Sequence, residues 1–388
     1  MRSSISAASH QDARKIRVAT LLHTTGYGGV DTIVMNWAKD LQTCDFEPFL
    51  FTFADPRGIE RPFVDKAATL GMPVHTIPWG RRKPLLTAAQ SLAAQLRTLS
   101  VDILHCHNPY ADFVGALAPH WYPVRTVTTL HAWGESGFRL RVLEWLDCHA
   151  CQKFDRITVP SSAAMEGAVE RGIPRSRIQL VGISAREFHS ISAEEKRRKR
   201  EELNVDPDDV ILVILGRLHP FKRTALTIEA VGVLAAKYPR LKLWVVGDGP
   251  EEENLKRQTA RLGIDDRVRF WGYLREVEPI LPLADIQVHS SRVGEGLPLA
   301  LLEGMSAGLP VVATAVGSIP DIVITNRTGI LTEPGNVPQL IEAIDNLICD
   351  ERLRAQLATG AREMMRQHFM PDQAAGSLAE IYRGLLSP

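Results

Sequence analysis

Short apolar runs separated by amphipathic stretches recur along the whole chain. Residues 16–22, 48–53, 74–78, 102–107, 125–130, 155–159 and 178–181 each read as a buried strand. Between several of them, as after Gly29 through Leu41 and across residues 87–99, apolar positions return at helical spacing. The alternation resumes with strands at 210–215, 241–246, 268–271 and 286–289, and further helices close the chain, the last near 372–386. Strands that alternate with helices predict parallel sheets made of strand–helix–strand units. A length of 388 residues suffices for two such domains. The pattern predicts two Rossmann-like α/β domains. Residues 1–14 are expected to be a disordered lead-in, 15–185 the first domain, 186–209 a linker and 210–370 the second domain, with a terminal helix expected over 371–388.

Composition narrows the functional classes. Hydrophobic residues are 45% of the chain, enough for a real core. Lys+Arg and Asp+Glu both number 45, so the formal net charge is zero, which argues against bulk electrostatic binding of nucleic acid. The five cysteines (Cys44, Cys106, Cys148, Cys151 and Cys349) are odd in number and irregular in spacing, which favours reduced thiols in the cytoplasm. No apolar run approaches a membrane span. The polar, Ser- and Ala-rich start lacks the apolar centre of a secretory signal.

The most informative stretch runs from Ser290 to Ala313. A strand stops at a polar loop, Pro298 suits a first helical turn, and Leu299, Leu301, Leu302 and Met305 continue at helical spacing to Gly308 and Pro310. The amides of Gly296, Leu297 and Leu299 are then expected near a helix start, unpaired and positively polarised, which suits a phosphate. Glu295 and Glu303 are eight apart, about 80° from sharing a helix face. That places Glu295 in the loop and Glu303 two turns into the helix. Two solvated glutamates are the plain alternative.

The stretch resembles the E-x7-E signature of retaining glycosyltransferases of family 4, which have the two-Rossmann GT-B fold. The resemblance extends over nearly all of the chain beyond residue 15. It implies that Gly28 and Gly29 form a loop beside the donor phosphates and the acceptor, and that His131 reaches the transferred sugar. His107, less specifically, lies by the acceptor cleft. Gly216 is followed by Arg217 and then Lys222, the pair that neutralises the nucleotide diphosphate in the family. Tyr273 and Leu274 lie near the nucleobase. The turn Gly296-Leu297-Pro298-Leu299 completes the donor site, Glu303 takes the ribose hydroxyls and Glu295 the sugar hydroxyls. The final helix is expected to cross back to the first domain.

Several features stand beside this reading. Residues 134–154 form an expected helix with Leu143, Trp145 and Leu146 beside Arg139 and Arg141, able either to pack on the sheet or to rest on an anionic membrane. Cys148 and Cys151 have metal-pair spacing but no second pair, so helix packing is expected of them. The run Lys196 to Arg200 reads as a solvated helix at the domain junction. Asp206-Pro207-Asp208 lies before a strand rather than after one, which does not suit a metal site. Phe221-Lys222 is expected to open a helix. Gly182-Ile183-Ser184 departs from the family's Asn-Gly, and Arg223 replaces its glycine.

The function implied is retaining transfer of a sugar from a UDP- or GDP-sugar to a saccharide, lipid or polyprenyl-linked acceptor, in cell-surface polysaccharide or glycoconjugate synthesis. No metal or other cofactor and no nucleic acid is expected. The expected location is the cytoplasm, with peripheral contact at the inner membrane face as a further option. The competing readings are a carboxylate-pair hydrolase, a sugar-nucleotide 2-epimerase of the same fold, and an inactive partner subunit.

Overall fold

The computed structural model describes residues 14–24, 26–80, 83–131, 138–186, 188–292 and 296–387. Glu295 and nearly all of the expected lead-in lie outside them. Arg14, at the lead-in's expected end, is described and bonds to the Ser100 carbonyl at 2.6 Å.

Two fully parallel sheets form the frame. Strands β1 (Ile16–Leu22), β2 (Phe46–Ala54), β3 (Val74–Pro78), β4 (Ile103–His107), β5 (Arg125–Thr129), β6 (Arg156–Val159) and β7 (Ile178–Leu180) make the first, in the order 3-2-1-4-5-6-7. Strands β8 (Val210–Leu215), β9 (Leu241–Val246), β10 (Val268–Gly272), β11 (Ile286–His289), β12 (Val311–Thr314) and β13 (Gly329–Thr332) make the second, in the order 10-9-8-11-12-13. The central strands are apolar and buried because helices cover both faces. Each order reverses at one place, between β1 and β4 and between β8 and β11. Open sheets bind ligands beyond the carboxyl ends of their strands at such places. Both reversals carry residues singled out from sequence: the glycine loop and His107 in one domain, Arg217 and the loop after Ser290 in the other.

The chain crosses between domains twice. Leaving the first, it passes Gly182, Ile183 and Ser184, where the amide of Ala185 donates to the Phe369 carbonyl at 3.2 Å. It returns through the helix Pro371–Leu386, whose Tyr382 is 1% exposed and packs edge-on against Phe46 of β2.

The charged run departs from expectation. The helix Ala193–Glu202 is solvated on one side only. Arg200 is 4% exposed and reaches the carbonyls of Leu283, Pro207 and Asp209 as well as the Asp285 carboxylate at 2.7 Å. Lys196 bonds the same carboxylate at 2.9 Å. Burial alone would raise the Asp285 carboxyl, but the ammonium of Lys196 and the guanidinium of Arg200 bring it below its usual value. A guanidinium fork satisfies three carbonyls and a carboxylate together, which a lysine could not.

The helix Phe138–Cys151 ends before the expected residue 154, and part of its expected start, 134–137, lies outside the described residues. Val142, Trp145 and Leu146 face outward at 42%, 59% and 44% exposure, while Asp147, Cys148 and Cys151 point inward. No helix among the described residues is long and apolar enough to cross a membrane.

The glycine loop ahead of the helix Gly29–Gln42 is held by Asp31, whose Oδ2 accepts the Gly28 amide at 3.0 Å. Burial raises the Asp31 carboxyl to about 6, against the opposing hydrogen bonds from Thr24 and Gly28.

Two stability predictions follow from these buried groups. Arg200→Ala leaves three carbonyls without their donor and takes from Asp285 one of its two cations, with Lys196 and the Ile211 amide remaining, and should cost about 3–5 kcal/mol in urea denaturation. Asp31→Asn keeps an acceptor for Gly28 without the charge. Because the folded pKa of about 6 lies above the ordinary value of 3.8, ionising Asp31 disfavours the fold. The variant's advantage should therefore be absent below about pH 4, grow as pH rises through 6, and level near neutrality at up to about 3 kcal/mol. An advantage that does not change with pH would contradict the assignment.

Candidate active site

The second domain supplies a cationic wall. At the end of β8 the Gly216 amide donates to the Val246 carbonyl at 2.9 Å, and the Gly247 amide reaches the Gly272 carbonyl at 2.8 Å. Gly247 has φ +132°, and a Cβ there would overlap the Gly216 carbonyl oxygen, so these loops approach as only glycine permits. Arg217 and Lys222 emerge from this junction and line a small cavity with Gly216, Thr224, His289 and Ser290. Among the described residues no carboxylate pairs with Arg217. Lys222 does not open an α-helix. It ends a single 3-10 turn, Pro220–Lys222, and Arg223 at φ 48° precedes the helix Thr224–Leu234. Ser290 ties the two loops together, its hydroxyl reaching the carbonyls of Lys222 at 3.2 Å and Arg223 at 3.0 Å.

The helix after Gly296 is Leu299–Ser306, with Pro298 as its cap rather than in its first turn. The amides of Leu301 and Leu302 take the Pro298 carbonyl. Those of Gly296, Leu297 and Leu299 bond to no described residue, the condition anion binding needs. Glu303 sits one turn in rather than two: the helix begins at Leu299, only about one turn before it. The next residue, Gly304, lies directly on Gln287 of β11, where a Cβ would overlap the Gln287 amide. This close packing fixes Glu303 at the floor. Burial raises its carboxyl to about 7; Arg186 opposes the shift, and Glu278 and Glu276 add to it. Tyr273 follows β10 and is half exposed, and Leu274 tucks against the cluster of Trp244 and Val246.

The first domain supplies a neutral wall. Gly28 caps the helix Gly29–Gln42, and both glycines are exposed. His131 leaves β5 half-buried, and burial lowers its imidazole to about 4. The His107 ring, expected by the acceptor, is fully buried and reaches His131, with Nδ1 3.0 Å from His131 Nε2. His105, two residues earlier and on the same face of β4, bonds Tyr382 at 2.6 Å and Thr129 at 2.7 Å. The sequence reading passed over His105, Tyr382 and Asp31. A period-two pattern, His-Cys-His, was the signal for the first.

Contacts close the walls on each other. Ser318 donates to Ser161 at 2.5 Å, Lys66 pairs with Glu276 at 2.8 Å, and Arg186 pairs with Glu276 at 2.7 Å and also with Glu278. Asp206 and Asp208 are both taken by Arg240. Among the described residues one group has metal-ligating geometry, Asp112, Asp147 and Cys151, all buried. Burial pushes all three toward their protonated forms, Asp147 to about 7.

Comparison with known proteins agrees with this architecture. The profile described as Glycosyltransferase Family 4 matches residues 27–182, and that described as Glycosyl transferases group 1 matches residues 195–364. An uncharacterized glycosyltransferase of Haemophilus influenzae is 31% identical over 366 residues, covering 92% of this chain and 96% of its own length. N-acetyl-alpha-D-glucosaminyl L-malate synthase of Bacillus anthracis is 27% identical, covering 78% and 79%. Among solved structures, Anabaena HepE in complex with UDP superposes with a TM-score of 0.82 at 20% identity, covering 95% of this chain and 100% of its own. Two parallel-sheet domains, a cleft between their switch points and these matches lead to one conclusion: the chain belongs to glycosyltransferase family 4, has the GT-B fold and is a glycosyltransferase.

Proposed function

We propose that the chain transfers a sugar from a UDP-linked donor to a saccharide or lipid-linked acceptor, with retention of anomeric configuration and without a metal. The observation that carries this is the convergence of Arg217 and Lys222 on one cavity. The amides of Gly296, Leu297 and Leu299, which bond to no described residue, belong to the same domain's strand-end loops. Two cations and oriented amides suit a diphosphate and stabilise it as it leaves. Glu303 accepts from the ribose hydroxyls, Tyr273 and Leu274 flank the base, and Gly28 and Gly29 let the phosphates approach. His131 faces the sugar, and Glu295 anchors its hydroxyls. UDP is favoured over GDP because structures of HepE hold UDP, UDP with glucose, and UDP-glucose.

An imidazole held near a pKa of 4 is a poor base at neutral pH. That supports a same-face displacement in which the leaving phosphate takes the acceptor's proton. The outward Val142, Trp145 and Leu146, with exposed Arg141 beside them, support peripheral contact with an anionic lipid surface. Such contact would suit a lipid-linked acceptor in cell-surface polysaccharide synthesis.

Incubation with UDP- and GDP-sugars and candidate acceptors, followed by mass spectrometry, tests the reading. The expected result is a glycosylated acceptor with UDP released, undiminished by EDTA. An isomerised nucleotide sugar, cleavage of a glycoside without nucleotide, or no turnover would each overturn it. In calorimetry, Lys222→Ala should weaken UDP binding by about 1.5–3 kcal/mol. Unchanged affinity would remove Lys222 from the diphosphate site.

A further inference from the structure

Three histidines stand in a row inside the first domain. The ring centroids of His105 and His107 are 4.3 Å apart, and those of His107 and His131 5.2 Å. Trp37 lies along the row, 6.0 Å from His105 and 5.9 Å from His107. Both nitrogens of His105 are engaged, by Tyr382 and Thr129. His105 therefore has no freedom to turn, and His107 is wedged between it and the indole. His107 and His105 are 0% and 1% exposed. This is a firm backing for one half-buried ring, His131.

We propose that His107 is a positioning residue that fixes the tautomer of His131, so that His131 presents an N–H at Nδ1 to an oxygen lone pair of the donor sugar. Burial keeps both imidazoles neutral, each with one N–H. The 3.0 Å contact between His107 Nδ1 and His131 Nε2 holds one proton, which belongs to one ring or the other. If it belonged to His131, His107 would carry its N–H at Nε2. That atom is buried and has no partner among the described residues. If it belongs to His107, Nε2 is left only as an acceptor. A stranded buried donor is rarer than a stranded acceptor. The indole N–H of Trp37, which packs against the same rings, is also buried without a partner among the described residues, and it can only donate. A second stranded donor there adds to the cost. The proton therefore sits on His107 Nδ1, Nε2 of His131 accepts it, and the proton of His131 is on Nδ1. A partner that sets which nitrogen of a histidine is free is a familiar device at metal-bound imidazoles, where its loss costs about 10- to 100-fold.

The use of the Nδ1–H rests on the transferase reading above, whereas the tautomer does not. Two measurements keep them apart. Nitrogen-15 NMR of the full-length protein labelled at histidine, with His131 assigned by its loss in His131→Asn, should show the proton on Nδ1 and a bare Nε2. A proton on Nε2 overturns the proposal whether or not the protein is active, and needs no folded variant of His107. The second compares His107→Phe with His107→Asn, whose amide N–H lies near the position of Nδ1. The Phe variant should lose on the order of 10- to 100-fold in kcat while UDP affinity, donor KM and melting temperature stay near those of the parent. The Asn variant should recover most of that loss. Wild-type kcat in the Phe variant, equal impairment in both, or a loss that follows the melting temperature would each assign His107 to the core alone.

Discussion

The buried hydrogen bond between Tyr382 and His105 joins residues 277 apart in the chain. It is 2.6 Å long and shielded from water on every side, so neither partner can give it up without leaving a stranded polar group. The bond places the last helix against β4 and thereby settles how the end of the second domain meets the first. It also holds His105 in one orientation, and the row of rings ending at His131 is built on His105. One contact therefore contributes both to the juxtaposition of the domains and to the shape of the first domain's side of the cleft. The smaller contacts, Ser161 with Ser318 and Lys66 with Glu276, add detail to an arrangement the last helix already imposes.

The two walls differ in electrostatic character. The second domain gathers Arg217, Lys222 and a helix start on loops locked together by glycine approaches. The first offers neutral imidazoles and a raised carboxyl at Asp31. Burial keeps the histidine wall free of charge. A cationic ring beside the sugar would repel the positive charge that an oxocarbenium-like state develops. In the proposed transfer, a neutral ring would leave the electrostatics to the diphosphate side. Glu303 is a distinct case, held near 7 by burial with Glu278 and Glu276 nearby, so its charge is sensitive to what binds beside it.

Most of the fold was legible because buried parallel strands leave unbroken apolar runs. Strands β1, β3, β8, β9 and β11 begin and end where those runs do. Glycines and charges at strand ends also marked Arg217 and Lys222, since their position follows from chain order alone. What stayed hidden depends on contacts far apart in sequence. His107 read as a cleft residue, and nothing local shows that its ring is fully buried and reaches His131. Arg200 read as solvated because its partner Asp285 lies 85 residues on. The helix Phe138–Cys151 carries Val142, Trp145 and Leu146 outward and Asp147 inward, which periodicity alone cannot orient. Pro298 took the cap rather than the first turn, so the helix starts at Leu299 and Glu303 lies about one turn into it.

The central claim is that the cleft works without a protein base, through a neutral first-domain wall and a cationic second-domain wall. Proton NMR of the anomeric centre in the product formed from an α-configured donor tests it most directly. The account predicts an α-linkage. A β-linkage would mean inversion, which requires a base on the acceptor side, and would contradict the roles assigned to His131 and to the diphosphate wall.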